Sequence, residues 1–174
     1  MYGGIDPGKH GAIAILRDTG AILKVMPTPL IAGEKGHQAY DLAAMADIGH
    51  ELKKMDLVAI ERQQPMPAVR RDPKTKKILG VLQGGNTIFT TGFGYGLWLM
   101  LLQALEIPHQ IVTARKWQAE FFTPQKGKSK LQAFEAARRL FPYHSFRKTK
   151  DGEFDAILIA EWGRRKAQGR QVAQ

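Results

Sequence analysis

Three stretches of this chain place acids where a carboxylate is costly to keep without a cation. In Gly3-Gly4-Ile5-Asp6-Pro7-Gly8 an apolar strand delivers Asp6 to a sharp turn. In Leu57-Val58-Ala59-Ile60-Glu61 another apolar strand ends on Glu61. In Asp151-Gly152-Glu153-Phe154-Asp155 two aspartates stand four apart, ahead of the apolar run Ala156-Ile157-Leu158-Ile159-Ala160. Residues four apart share one helix face, so Asp151 and Asp155 can look the same way. Asp151 and Glu153 also suit the positive end of a helix dipole, and each alone would be read so. Asp155, between a phenylalanine and an apolar run, fits that reading less well. If the strands ending in Asp6 and Glu61 run parallel, both acids emerge at one sheet edge, where open α/β sheets bind ligands. Carboxylates gathered there repel one another unless a cation joins them, and hard oxygen donors select Mg²⁺, with Mn²⁺ as its substitute.

Composition narrows the partners. The 174 residues include no cysteine, so neither disulfides nor thiolate metal sites are available. The formal charge of +10 attracts polyanions, since each neutralised phosphate releases counterions. Nucleic acid is the expected partner, with a protein that is merely basic as the competing reading. No apolar run is long enough to span a membrane, and the first residues read as a strand rather than a leader. A cytoplasmic protein is expected.

The elements that must position the acids follow from periodicity. Strands are predicted over 1–6, 11–17 and 21–26 as an antiparallel meander, followed by a loop over 27–36. Asp41 is a good N-cap for an amphipathic helix over 41–54. The strand over 57–60 should then lie parallel to the first. Residues 63–85 read as an irregular, mobile basic loop carrying Arg70, Arg71, Lys74, Lys76 and Lys77. A long apolar helix over 86–105 sets Phe89, Phe93, Leu97, Met100 and Leu101 on one side, and must be covered by the sheet or by a second subunit. A strand over 109–112, a helix capped by Thr113 and running to 122, the basic turn Lys126-Gly127-Lys128, and helices over 129–141 and 153–166 complete the chain. A single domain over 1–168 with a polar tail over 169–174 is expected. The order βββαβαβααα is that of a ribonuclease H-like α/β fold, a mixed five-stranded sheet flanked by helices.

Gly4-Ile5-Asp6-Pro7-Gly8, the strand end Ala59-Ile60-Glu61 and the late Asp155-Ala156-Ile157-Leu158-Ile159-Ala160 together resemble the RuvC family of Holliday junction resolvases, in its bacteriophage branch. The first motif alone is shared with actin-like and sugar kinase folds; the three in this order are more specific. The resemblance implies a metal-dependent endonuclease that resolves four-way DNA junctions as a homodimer, in the host cytoplasm if phage-encoded. Asp6, Glu61, Asp151 and Asp155 would hold two Mg²⁺ ions, with Asp6 bridging them. Family members often space the last two acids by three; here Gly152 takes that position, which leaves the role of Asp151 open. Lys128 and Lys116 fall where the family has functional lysines, and solvated side chains are the competing reading for both. Lys9, Lys126, Lys130 and the cluster from Arg70 to Lys77 join them as expected DNA contacts. Bacterial members carry an aromatic residue after the strand-final glutamate, whereas Arg62-Gln63-Gln64-Pro65-Met66 has none. The helix over 86–105 falls where the family dimerises. A ribonuclease H acting on RNA–DNA hybrids and a non-catalytic junction-binding protein are the alternatives.

Overall fold

The computed structural model describes residues 1–33, 38–63, 69–75, 77–81, 85–123, 129–146 and 151–169, with side chains left out at 69–71, 81, 85–87 and 151. Its strands are β1 (Tyr2–Ile5), β2 (Ala12–Leu16), β3 (Ile22–Pro27), β4 (Leu30–Ala32), β5 (Gln38–Tyr40), β6 (Leu57–Glu61), β7 (Val69–Arg71), β8 (Ile78–Val81) and β9 (His109–Val112). Its helices are α1 (Leu42–Leu52), α2 (Gly85–Ala104), α3 (Ala114–Gln118), α4 (Ser129–Leu140) and α5 (Asp151–Ala167). The central sheet has five strands in the order β3-β2-β1-β6-β9. β1, β2 and β3 pair antiparallel, while β6 runs parallel to both β1 and β9. This is the mixed, ribonuclease H-like sheet that the element order predicts.

Period-two alternation gives the sheet one bulky face and one thin face. Ile5, Ile13, Ile15, Val58 and Ile60 form one core with Met45 and Leu52 of α1 and Trp98 and Leu102 of α2. On the other face Ala12, Ala14 and Ala59 pack with α4 and α5, through Ala137, Ala156, Leu158 and Ala160 among others. Gly4 lies on that thin face: a Cβ there would stand 2.3 Å from both the Ala156 carbonyl oxygen and the Ala160 nitrogen. Small residues therefore let α5 settle directly on the sheet. Its C-terminal half is tied to the β2–β3 turn through Arg164, which is buried, grips both Glu161 oxygens at 2.7 and 2.8 Å, and donates to the Asp18 carbonyl at 3.1 Å.

Several expectations are corrected. The stretch over 27–36 is not all loop, because β3 reaches Pro27 and β4 pairs antiparallel with β5. The basic stretch over 63–85 contains the β7–β8 hairpin, whose turn is set by Asp72: its Oδ1 accepts from the Lys74 and Thr75 amides at 2.8 and 2.6 Å. α3 stops at Gln118 and Thr113 makes no side-chain cap, whereas Asp41 caps α1 by accepting from the Ala44 amide at 3.0 Å. α5 begins at Asp151 rather than at 153. α2 meets the sheet through one stripe only, with Gly94, Trp98 and Leu102 buried while Phe89 and Met100 remain 72% and 68% exposed. No helix among the described residues is long and apolar enough to cross a membrane.

The thin face makes a direct prediction. Gly4→Ala forces α5 off β1 and should cost about 1–3 kcal/mol, the usual range for overpacking. Urea unfolding measures it, and an unchanged midpoint would contradict the close approach.

Candidate active site

Asp6 follows Ile5 and Glu61 follows Ile60, and Ile5 pairs with Ile60 in the parallel β1–β6 register. The two acids thus leave adjacent strands at the same level. Alternation places Asp6 on the face of Gly4 and Glu61 on the face of Ala59, which is the α5 side. Asp155 arrives from the first turns of α5 and lines the same cleft as Asp6, about 320 Å³ in volume. Gly8, Lys9, His10, Gly11, Tyr40, Gln63, Thr90, Thr91 and Gly152 form the rest of its wall.

Two glycines make that arrival possible. A Cβ on Gly152 would stand 2.2 Å from the His10 carbonyl oxygen, and one on Gly11 would stand 2.1 Å from the Asp6 carbonyl oxygen. The start of α5 therefore rests on the backbone of the β1–β2 turn, backbone on backbone. A side chain at position 152 has no room unless that backbone shifts. The turn is itself held: the Gly8 amide donates to Asp6 Oδ1 at 3.3 Å, and the buried Thr28 hydroxyl donates to the Gly8 carbonyl at 2.8 Å.

Glu61 does not line the cleft; its Oε2 accepts the Trp117 indole N–H at 2.7 Å. Burial pushes its carboxyl up to about 7; the indole bond opposes that rise and the Asp6 charge adds to it. Tyr40 faces Asp6 across the cleft, and burial followed by the Asp6 charge raises its phenol. Its hydroxyl reaches the Thr90 carbonyl of α2 at 3.4 Å. Among the described residues no three His, Cys, Asp or Glu side chains stand close enough together to hold an ion unaided. The fourth acid, Asp151, has its backbone in α5 and its side chain outside the description. The donor set nonetheless suits a hard divalent cation: it is all carboxylate oxygen, and the Asp6 charge works against ionising Glu61.

The basic residues fall in several places. Lys9 donates to the Gln38 carbonyl and lies 5.9 Å from the Tyr40 ring centroid, so it is tied to β5 rather than waving from a turn. Lys116 is exposed on α3, 5.7 Å from the Trp162 ring centroid, and Lys130 is exposed at the start of α4. Lys74 and Lys77 are exposed beside the β7–β8 turn, and Arg70 and Arg71 lie in β7. Lys76, Lys126 and Lys128 lie outside the described residues. Thr28, Tyr40 and Trp117 escaped the sequence reading. Only Trp117 gave a signal, as a tryptophan near a strand end whose N–H needs a partner when buried.

This sheet, with its acids at the ends of parallel neighbours, defines the ribonuclease H-like class. Solved structures of RuvC share this fold. The chain matches Thermus thermophilus RuvC in complex with a Holliday junction substrate at a TM-score of 0.58 and 13% identity, covering 97% of this chain and 95% of that one. It matches a second Thermus thermophilus RuvC structure at a TM-score of 0.51 and 13% identity, covering 97% and 96%. At that identity the likeness shows a shared fold. No protein-family model matches the chain, and no curated protein does.

The raised Glu61 carboxyl sets a pH dependence. In cation-free buffer folded Glu61 keeps its proton up to about 7, whereas the unfolded chain releases it near 4.5. The folded state binds more protons in that window, so stability falls as pH rises through it, by roughly 2–3 kcal/mol. Urea midpoints at about pH 5 and about pH 8 should show the fall in the wild type and not in Glu61→Gln. Equal falls in both would remove Glu61 as its source.

Proposed function

We propose that the chain is a structure-selective endonuclease of RuvC type, of the bacteriophage branch, which resolves four-way DNA junctions by Mg²⁺-dependent phosphodiester hydrolysis as a homodimer. The observation that carries this reading is that Asp6 and Asp155 line one cleft while Glu61 ends the neighbouring parallel strand at the same level, in a chain of net charge +10. The fold shared with a RuvC solved on a Holliday junction supports the substrate class. Asp6, Glu61, Asp155 and Asp151 would hold the ions, with Mn²⁺ as the substitute. Bound Mg²⁺ supplies Lewis-acid stabilisation of charge on the phosphate and eases deprotonation of an attacking water.

The protein's own groups do the rest. The β1–β2 turn holds Asp6 through the Gly8 amide, and the seat of Gly152 on that turn sets where Asp155 stands. Lys9, Lys116, Lys126, Lys128 and Lys130, with Arg70, Arg71, Lys74, Lys76 and Lys77, would contact phosphates and orient the backbone without reading bases. Lys128 would also act close to the scissile phosphate. The nuclease domain spans 1–168 in this reading, with a polar tail beyond.

A dimer accounts for the open side of α2. Leu42, Met45, Phe93, Leu97, Met100 and Leu101 line an apolar groove of about 510 Å³ between α1 and α2. A two-fold contact there would present two sites to a junction of matching symmetry.

A mobile four-way junction, a duplex and an RNA–DNA hybrid, each incubated with Mg²⁺, test the activity. The junction should be nicked in pairs, and Asp6→Asn should slow cutting at least about a hundredfold, because a lost ion removes several kcal/mol of stabilisation. Undiminished cutting by Asp6→Asn would overturn the metal role. Preferential hybrid cutting would make the protein a ribonuclease H, and tight junction binding with no cutting would make it a binding protein. Sedimentation tests the dimer: Met100→Glu should leave a folded monomer, and an unshifted dimer would place the contact elsewhere.

A further inference from the structure

Trp117 is fully buried, yet it donates its single N–H to a carboxylate rather than to backbone. The acid it holds, Glu61, lies 56 residues away in sequence. Two features fix the indole. β9 pairs with β6 so that Val112 stands opposite Glu61, and α3 starts two residues later. The ring then lies in the buried cluster that includes Ala59, Phe154, Leu158 and Trp162, and meets Phe122 edge-on at 6.1 Å. A side chain so enclosed cannot follow Glu61 if it moves; Glu61 must come to it. Among the described residues, the Glu61 carboxylate takes no other hydrogen bond.

We propose that Trp117 is a positioning residue for the cation site, holding the Glu61 carboxylate through Oε2 for the ion it would bind. This rests on the metal-dependent reading given above and deepens it. The physical effect is preorganisation. A free glutamate loses rotamer freedom when it binds an ion, whereas one already held by the indole has lost that freedom on folding. The indole N–H offers one donor, and a carboxylate can accept at either oxygen, so the bond leaves donor capacity for the ion. Groups that orient metal ligands commonly change metal affinity by about 10–100-fold when removed.

The test is Mn²⁺ binding to the full chain without DNA, measured by calorimetry. Trp117→Phe should weaken binding about tenfold or more. Because Phe leaves part of the indole volume empty, a second variant carries 3-benzothienylalanine at position 117, which keeps the bicyclic shape and lacks the N–H. It should weaken binding to a similar extent with an unchanged circular dichroism spectrum. The same changes made in Glu61→Gln should have little further effect, since Trp117 acts through Glu61 and the two losses are not additive. Junction binding in EDTA should be unchanged, because the indole touches no DNA in this scheme. Equal or tighter Mn²⁺ binding by a folded benzothienyl variant would overturn the proposal, the tighter result meaning that the indole competes with metal. Additive losses would overturn it as well, by making Trp117 a packing residue. Wild-type protein that binds no Mn²⁺ would bring down the metal reading itself, and this inference with it.

Discussion

Everything at the candidate site depends on how closely α5 can lie on the sheet. Gly4 meets the backbone of Ala156 and Ala160, and Gly152 meets the backbone of His10, with no side chain between in either case. A helix packed through larger residues would stand farther off, carrying Asp155 with it. Interiors are close-packed and yield little, so the seat of this helix is set by side-chain size. The thick face of the same sheet packs its isoleucines against α1 and α2, while the thin face meets α4 and α5 through small residues.

The second constraint is electrostatic. Asp6 and Glu61 are brought level by strand pairing, and burial already raises Glu61 before the Asp6 charge adds to it. Burial and the Asp6 charge both work against ionising Glu61, and positive charge brought to it would favour the ionised form. Trp117 relieves part of the penalty at one oxygen and fixes the carboxylate in place. Outside this acidic cleft the chain is strongly basic, with Lys74, Lys77, Lys116 and Lys130 all exposed. An acidic centre in a basic surface suits a polyanion whose reaction needs a cation.

What could be read from the chain alone followed the strength of local patterns. The meander, the β6 strand and the capped helix α1 were legible because alternation and an Asp41 cap act over a few residues. The β4–β5 and β7–β8 hairpins were not, since strands of three or four residues are too short to show alternation. The acids Asp6 and Glu61 were legible as strand-final carboxylates, and Asp155 as an acid ahead of an apolar helix. Tyr40, Thr28 and Trp117 were not, because each serves the site through a partner distant in sequence.

The sequence by itself determined which residues are small, which strands end in acid, and therefore which face of the sheet could accept a closely packed helix. Those are properties of side-chain volume and period-two alternation, and they need no folded context. Only the tertiary structure decided that the start of α5 rests on the β1–β2 turn, that a side chain at position 152 has no room unless that backbone shifts, and that Trp117 holds Glu61. Each of these joins segments that chain connectivity leaves independent, and only the packing of the whole sheet against its helices brings them into contact.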